Sequence, residues 1–337
     1  MITLEYTKLG NTDIEISKLC VGCMSFGKAG TMHDWTLDAK QSEEVIKHAL
    51  SLGINFFDTA NCYSAGTSEE YLGRAIKNNI ARNKIVIASK VYFNEGRLSK
   101  NAIMREIEGT LKRLGTDYLD LYIIHRFDYD TTIEETMEAL NELVRSGKVR
   151  AIGASAMYGY QFYNMQLAAR DNGWTQFSAM EDHYNLLYRE DERELIPICR
   201  QMGVSLMPYS PLAAGHLARA EWTSDSLRGR TDRVARGKYD RMEAEDIRIV
   251  RRVNEIADKH GCKMSQIAVA WQWAKGVASP IIGATKAQHF DDAAAALDIK
   301  LSAEDIAYLE EPYVPHPIVG AIDKNPEQGV MLLDEKK

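Results

Sequence analysis

The sequence predicts an α/β protein folded as a (β/α)8 TIM barrel, with an N-terminal hairpin, an insertion after the seventh strand, and a C-terminal extra helix and tail. Three observations predict it. A phrase made of an amphipathic stretch, a glycine and a short apolar run recurs at Gly53, Gly115, Gly147, Gly173, Gly203 and Gly276. A glycine there closes a helix in the left-handed conformation, which other residues reach only at a cost. The run after it is short, β-branched and aromatic, as a buried parallel strand is. Second, LCVGCMSF near residue 20 and IVIASK at 85–90 bring the strand candidates to eight. Third, such a barrel typically needs about 250 residues, and the 337 residues here leave a surplus with identifiable places.

The elements follow in order. Residues 1–17 read as a hairpin, TKLGNTDIEIS alternating around Gly10 and Asn11. The barrel strands are LCVGCMSF, INFFD, IVIASK, TDYLDLYII, KVRAIGAS, WTQFSAM, VSLMPYS and VASPIIGA. Between them SEEVIKHALSL and TIEETMEALNELVRS repeat apolar residues at helical spacing. Asp38, Ser99, Thr131 and Ser302 are predicted helix caps. Residues 213–242 form a polar, Arg-rich insertion, and 300–337 an extra helix and a Pro-containing tail. No linker or low-complexity segment divides the chain, which predicts one domain over 1–337. A doubly wound sheet is the rival architecture, but no G-x-G-x-x-G follows the first strand.

Composition narrows the function classes. Hydrophobic residues make up 45% and charged residues 26%, as in ordinary globular proteins. The net charge of −7 argues against a general nucleic-acid surface. No apolar run reaches the length of a membrane span, and MITLEYTKLGNTDIEI carries no apolar signal region. A cytoplasmic location is expected. Five scattered cysteines read as free thiols. Cys20 and Cys23 match C-x-x-C, but residues three apart on a strand point to opposite faces, so neither a dithiol nor a metal pair is expected. No metal ligand set is predicted.

Four polar residues stand at strand ends or just beyond. Asp58 ends INFFD, Tyr63 follows in DTANCYSAGTSEE, Lys90 ends IVIASK, and His125 ends YLDLYIIH. In this fold, active sites lie at the C-terminal ends of the strands, so the four converge if the strands are parallel neighbours. Each type alone is ordinarily structural: an Asp caps, a Tyr packs, a Lys is solvated. Four at matching positions point to a site. Pairing Asp58 with Lys90 resolves two buried charges. A cation about 4 Å from a phenol, at an effective dielectric near 20, stabilises the phenolate by roughly 4 kcal/mol. That is about three pKa units before any opposing desolvation. Lys90 is therefore expected to make Tyr63 a usable proton donor, with His125 orienting a carbonyl or shuttling the proton.

At the other side of the predicted mouth, the eighth strand ends at Gly283 and a helix begins at Ala287 or Gln288. Barrels of this kind usually hold phosphate there, and Thr285, Lys286 and His289 would supply the donors. A capped helix with a solvated lysine is the alternative. After the seventh strand, backbone amides near Leu212–Leu217 could meet a pyrophosphate. Arg228, Arg230, Arg233 and Arg236 would either cover it or lie on a solvated loop.

These motifs resemble the aldo-keto reductases over residues 5–315. GINFFDTANCYSAGTSEEYLGRAI resembles the family signature around its catalytic Asp and Tyr. IVIASK carries the matching Lys and DLYIIHR the matching His. SPLAAGHLAR and PIIGATKAQHFDDA resemble its two cofactor loops. With MEDHYNLLYRE, the wording is most similar to the bacterial and fungal branch near the potassium channel β-subunits. The resemblance implies hydride transfer from NADPH to an aldehyde or ketone, without metal or flavin. It implies Tyr63 as general acid, Lys90 and Asp58 lowering its pKa, and His125 positioning the carbonyl. It implies Tyr184 stacking on the nicotinamide and Ser155 touching the carboxamide. It places Thr285, Lys286 and His289 on the 2′-phosphate, favouring NADPH over NADH. The remaining cofactor contacts it implies are Met24, Glu181, Tyr209, Ser210, Pro211, Leu212, Gly215, Leu217, Gly283 and Asp292.

Two residues depart from the family pattern. The usual Ser-Asn pair reads Ser155-Ala156, and the usual Gln of the sixth strand is Glu181. An ionised glutamate accepts hydrogen bonds but donates none. Trp35, Tyr92, Phe127 and Trp222 are candidate pocket walls, with ordinary packing the favoured alternative for each. Two other readings share these motifs: a nicotinamide-binding regulatory subunit of a protein partner, and a lyase using Lys90 as a Schiff base. Neither the substrate nor the oligomeric state is readable.

Overall fold

The computed structural model describes residues 4–222 and 227–318. The N-terminal hairpin pairs β1 (Tyr6–Lys8) with β2 (Glu15–Ser17) in antiparallel register, Thr7 opposite Ile16. Gly10, at its tip, has φ +52°, and a Cβ there would lie 2.3 Å from the Ser178 carbonyl oxygen. Only glycine fits so close an approach. Its amide donates to Ser205 Oγ at 2.7 Å, tying the tip to the barrel.

Eight parallel strands follow: β3 (Cys20–Gly22), β4 (Phe56–Asp58), β5 (Val86–Val91), β6 (Leu119–Ile124), β7 (Val149–Ser155), β8 (Ala179–Glu181), β9 (Ser205–Leu206) and β10 (Ile281–Gly283). They pair in chain order, with β10 beside β3. Ala278 and Ile281 amides donate to the carbonyls of Leu206 and Pro208 at 2.9 and 3.0 Å, which joins β10 to β9 and closes the ring. The result is the expected (β/α)8 barrel. The six glycines of the repeated phrase all have positive φ. A seventh, Gly261, closes a helix but leads into another helix.

Inside the barrel, Cys20, Phe56, Val86, Ala88, Leu121, Ile123, Ala151, Ala179, Met207 and Ile281 form one apolar cluster with Leu9, Ile14 and Ile16 of the hairpin. The hairpin thus seals the floor. The outer faces of the strands pack against the helices in a second, larger cluster. Cys20 belongs to the inner cluster and Cys23 to the outer one, as the strand period required.

The helices start where polar caps stand. α1 (Ala39–Ser51) is capped by Asp38 with a reciprocal bond from Gln41. α2 (Thr67–Asn79) follows the Tyr63 loop. Ser99 caps α3 (Lys100–Leu114), accepting from Ala102 N. The cap of α4 (Ile133–Arg145) is Thr132, not Thr131. Thr131 Oγ1 instead donates to Asp128 at 2.7 Å, within the turn before the helix. α5 (Gly159–Asp171) and α6 (Leu195–Gln201) continue the ring.

The insertion after β9 holds α7 (Leu227–Thr231) and α8 (Arg233–Tyr239), then leads into α9 (Glu243–His260) and α10 (Met264–Ala274). α11 (Gln288–Ala295) starts where expected, and Ser302 caps α12 (Ala303–Glu310). The tail then crosses back. Tyr313 Oη donates to Glu190 at 2.7 Å, and His316 Nε2 lies 2.9 Å from Asp246. The predicted tail beyond residue 318 lies outside the described residues. No described helix is long and apolar enough to cross a membrane.

Candidate active site

The register brings the tetrad together. Asp58 ends β4, Lys90 stands one layer higher on the neighbouring β5, and His125 follows β6 directly. Tyr63 lies in the loop after β4. Lys90 Nζ donates to both Asp58 oxygens, at 2.5 and 2.7 Å, to the Thr59 carbonyl at 3.0 Å, and to Tyr63 Oη at 3.2 Å. Its exposure is 0%. The Tyr63 and His125 rings meet edge to face, centroids 5.8 Å apart.

The Tyr63 loop is held stiffly. Ser64, Ala65 and Gly66 all have positive φ (47°, 54° and 87°). Left-handed geometry costs a non-glycine residue roughly 1–2 kcal/mol, so neighbours must hold it. Thr67 Oγ1 donates to the Ser64 carbonyl at 2.7 Å. Ser68 Oγ bonds Thr59 Oγ1 and the Cys23 carbonyl at 2.9 and 2.8 Å. Fully buried Glu69 accepts from Ser89 Oγ and Arg113 Nε, both at 2.5 Å.

Electrostatics correct one expectation. Tyr63 is not made a stronger acid at rest. Burial raises its pKa well above the ordinary 10; Lys90 opposes this, while Asp58 and Glu181 reinforce it. The neighbouring charge was legible in the sequence, but the depth of burial was not. Burial works against the charge on Lys90 too, yet Asp58 and Glu181 outweigh it and keep the ammonium protonated. Burial, then Lys90 and Arg126, hold His125 well below the usual imidazole range, so it is neutral. Its Nδ1 lies 3.9 Å from Cys62 Sγ.

Beside the tetrad stands Glu181, with one carboxyl oxygen 3.3 Å from Lys90 Nζ. Burial, then the Asp58 charge, push its pKa up to about 8 against the pull of Lys90. Ser155 pairs with it across β7 and β8, and Ser155 Oγ donates to the Glu181 carbonyl at 2.8 Å. That hydroxyl's proton is therefore committed within the barrel wall. Ala156, where Asn was expected, has φ +47°, a geometry asparagine tolerates better than alanine.

Other predicted contacts divide. Tyr184 does not face the mouth. Counting by two from inward Glu181 puts it on the outer side of the wall. There its fully buried ring packs on Trp271 with centroids 5.0 Å apart, and its hydroxyl donates to Glu192. Tyr209, half-buried, has Lys238 Nζ 4.5 Å from its ring centre and His183 stacked at 5.1 Å. Ser210, Ala213, Ala214 and Gly215 have positive φ (56°, 46°, 54°, 100°), the kind of backbone whose amides form anion-binding concavities. Pro211 is buried and Leu212 half-buried in this turn, while Leu217 points into the outer core. Gly283 and Lys286 are exposed, Thr285 half-buried and His289 exposed at the start of α11. Asp292 is paired with Lys263 at 2.7 Å. Met24 is half-buried just beyond β3.

Of the predicted walls, Phe127 packs into the outer core beside Tyr129. Trp35 is covered by Arg228 at 4.5 Å, and Trp222 stacks on His216 at 4.0 Å. Arg228 also pairs with Asp232, and Arg236 donates to the Arg230 carbonyl. Phe93 was missed. Its ring is 51% exposed and meets His125 edge-on at 5.0 Å, with the Arg126 guanidinium 5.2 Å from its centre. It stands in the loop after β5, beside Tyr92. Among the described residues, no group of acidic, His or Cys side chains is arranged to hold a metal.

A closed barrel with a buried cluster of titratable side chains at its C-terminal rim has an active site's position and polarity for this fold. Comparison with known proteins narrows this. The family model of the Aldo/keto reductase family matches residues 18–313. A putative aryl-alcohol dehydrogenase of Schizosaccharomyces pombe is 44% identical, over 94% of this chain and 98% of its own. Versiconal hemiacetal acetate reductase of Aspergillus parasiticus is 41% identical over the same shares. The crystal structure of a thermostable aldo-keto reductase with the inhibitor epalrestat superposes with a TM-score of 0.73 at 31% identity, covering 92% of this chain and all of that one. The chain belongs to the aldo-keto reductase family, and it is an oxidoreductase of small carbonyl substrates.

Proposed function

We propose that the protein is an NADPH-dependent reductase of aldehydes or ketones, with Tyr63 as the general acid. The observation that carries this reading is Lys90 Nζ, 3.2 Å from Tyr63 Oη and saturated with Asp58. A reduced nicotinamide, when bound, supplies the hydride. The residues fit such a dinucleotide. Exposed Lys286 and His289 and half-buried Thr285 suit a 2′-phosphate at the start of α11. The left-handed residues Ser210, Ala213, Ala214 and Gly215 suit a pyrophosphate. Tyr209, half-buried rather than enclosed like Tyr184, is the ring we assign to stack on a nicotinamide. Glu181 Oε2, buried and without a hydrogen-bond partner, suits a carboxamide amine.

Tyr63 stays protonated at rest, which a proton donor requires. It gives its proton to the oxygen of the reduced carbonyl. The alkoxide is a far stronger base than a phenolate, so the transfer runs downhill even from a raised phenol. Lys90 then stabilises the phenolate left behind, and Asp58 holds Lys90 in place. Neutral His125 donates a hydrogen bond to the carbonyl oxygen and orients it. Phe93 forms an apolar wall beside it, suited to an aromatic or other flat apolar substrate. The Schiff-base reading is disfavoured, because a lysine ion-paired at 2.5 Å stays protonated and is a poor nucleophile. A cytoplasmic location and a single domain over 1–337 belong to the same reading.

The test is consumption of NADPH by the purified protein with small aromatic aldehydes. Turnover undiminished in Tyr63→Phe would remove the proposed acid. Tight NADPH binding with negligible turnover of any carbonyl would favour a regulatory subunit instead.

A further inference from the structure

Glu181 raises a problem of counting. A lysine ammonium has three hydrogens. Those of Lys90 already serve four acceptors, the two Asp58 oxygens, the Thr59 carbonyl and Tyr63 Oη. Glu181 Oε2 lies 3.3 Å from the same nitrogen, yet it receives no hydrogen bond and is buried. An ionised Glu181 would be a second carboxylate on one cation, without a donor, at 3% exposure. Such a charge is costly unless it is neutralised. Its carboxyl lies within hydrogen-bonding reach of Asp58, so a proton on Glu181 has a place to point.

The geometry points to Glu181 as a protonated positioning residue, whose O–H is donated to Asp58 while its other oxygen is left to accept from a carboxamide amine. In this state Asp58 and Lys90 cancel, and the cluster is neutral overall. The carboxylic acid accepts like the glutamine it replaces, and its proton adds a third support to Asp58. Loss of that proton sets two carboxylates competing for Lys90 and places a negative charge near Tyr63. Both changes draw Lys90 from the phenol and hinder formation of the phenolate.

Five charged or titratable groups act on or answer to Glu181. Asp58 comes from β4, Tyr63 from the loop beyond it, Lys90 from β5, Arg126 from the end of β6, and Cys20 from β3. Asp58 favours the proton; Lys90 and Arg126 oppose it; burial dominates and carries the carboxyl to about 8. The cytosolic range therefore lies on the protonated side, and activity should fall as pH rises past that value.

The inference rests on the reductase reading only for this kinetic consequence. Its direct test uses the full chain with nothing added. The infrared C=O stretch of protonated carboxyl groups is followed while pH is raised through about 8, in the wild type and in Glu181→Gln. Asp182→Asn serves as a control, because buried Asp182 is itself pushed up to about 7. The expected result is a band that disappears with a midpoint near 8, persists in Asp182→Asn and is missing in Glu181→Gln. Identical titrations in wild type and Glu181→Gln would overturn the proposal. Asp58→Asn gives a second route: removing that charge should lower the midpoint by a unit or more, and an unmoved midpoint would also overturn it. In kinetics, the alkaline fall of kcat/KM should move up by at least one pH unit in Glu181→Gln. Turnover with no Glu181 band sinks the inference alone; a Glu181 band without carbonyl turnover supports it and sinks the reductase reading.

Discussion

The two halves of the barrel rim are finished to different degrees. Around β4 and β5 the ammonium of Lys90, both oxygens of Asp58 and the hydroxyl of Tyr63 satisfy one another. Around β8, β9 and the insertion more buried polar atoms are left over, among them Glu181 Oε2, His183 Nδ1, His216 Nδ1 and Arg219 Nε, against Asn61 Oδ1 and Ser64 Oγ in the Tyr63 loop. Native interiors rarely leave such atoms unpaired. The difference teaches that the Lys90 cluster is preorganised by the chain itself. The β8–β9 side carries the larger share of unpaired atoms, and in the proposed reading a bound dinucleotide covers it.

Breaking the finished half should have the largest effects. Lys90→Met strips Asp58 of its cation and should cost about 3–5 kcal/mol of stability, read as a lowered denaturation midpoint. Carbonyl reduction should be abolished in the same variant. Tyr63→Phe should retain the fold and NADPH affinity but lose roughly 10²- to 10⁴-fold in kcat, the usual span for a general acid.

The unfinished half should respond in binding rather than folding. Tyr209→Ala should weaken NADPH about 2- to 12-fold, the equivalent of a stacking contact of roughly 0.5–1.5 kcal/mol. Tyr184→Ala should show the reverse: a stability loss of about 3–5 kcal/mol, as for other large buried aromatics, with little change in cofactor affinity. Fluorescence titration and thermal melts separate the two. If Tyr184→Ala alone weakens binding, the contrast between the halves fails.

Glu181 joins the halves and gives a pH signature. Its carboxyl is raised in the folded state, so the unfolded chain releases that proton at lower pH. Stability therefore falls as pH climbs from about 4.5 to about 8. Glu181→Gln should flatten that fall, by on the order of a few kcal/mol at the alkaline end. The smallest effect belongs to the Tyr63 loop. Exposed Ala65 sits at φ 54°, and Ala65→Gly should gain up to about 1 kcal/mol.

The frame was legible because its signals are local. Each glycine of the repeated phrase needs only its own left-handed backbone, and Asp38, Ser99 and Ser302 need only the next turn of helix. Thr131 was misplaced by one residue because two threonines adjoin and a turn claimed the first. The tetrad was legible through its spacing along parallel strands. Tyr184 was assigned through resemblance, although counting two residues at a time from Glu181 already turns it outward. Phe93 and Arg126 carry no pattern of their own, since loop side chains follow no period. The raised Tyr63 pKa depends on how much chain covers it, and no single stretch of sequence records that.

The hairpin that seals the floor of the barrel sets how the cluster communicates with solvent. Leu9, Ile14 and Ile16 stop the lower end, and Phe56, Ala88 and Ile123 fill the space above them. Water has no route to Lys90 from below. In the proposed reaction the proton that replenishes Tyr63 then arrives from the open rim, the side on which the substrate enters. On that reading a molecule seated there is also a cork, and the cluster exchanges with bulk solvent between turnovers.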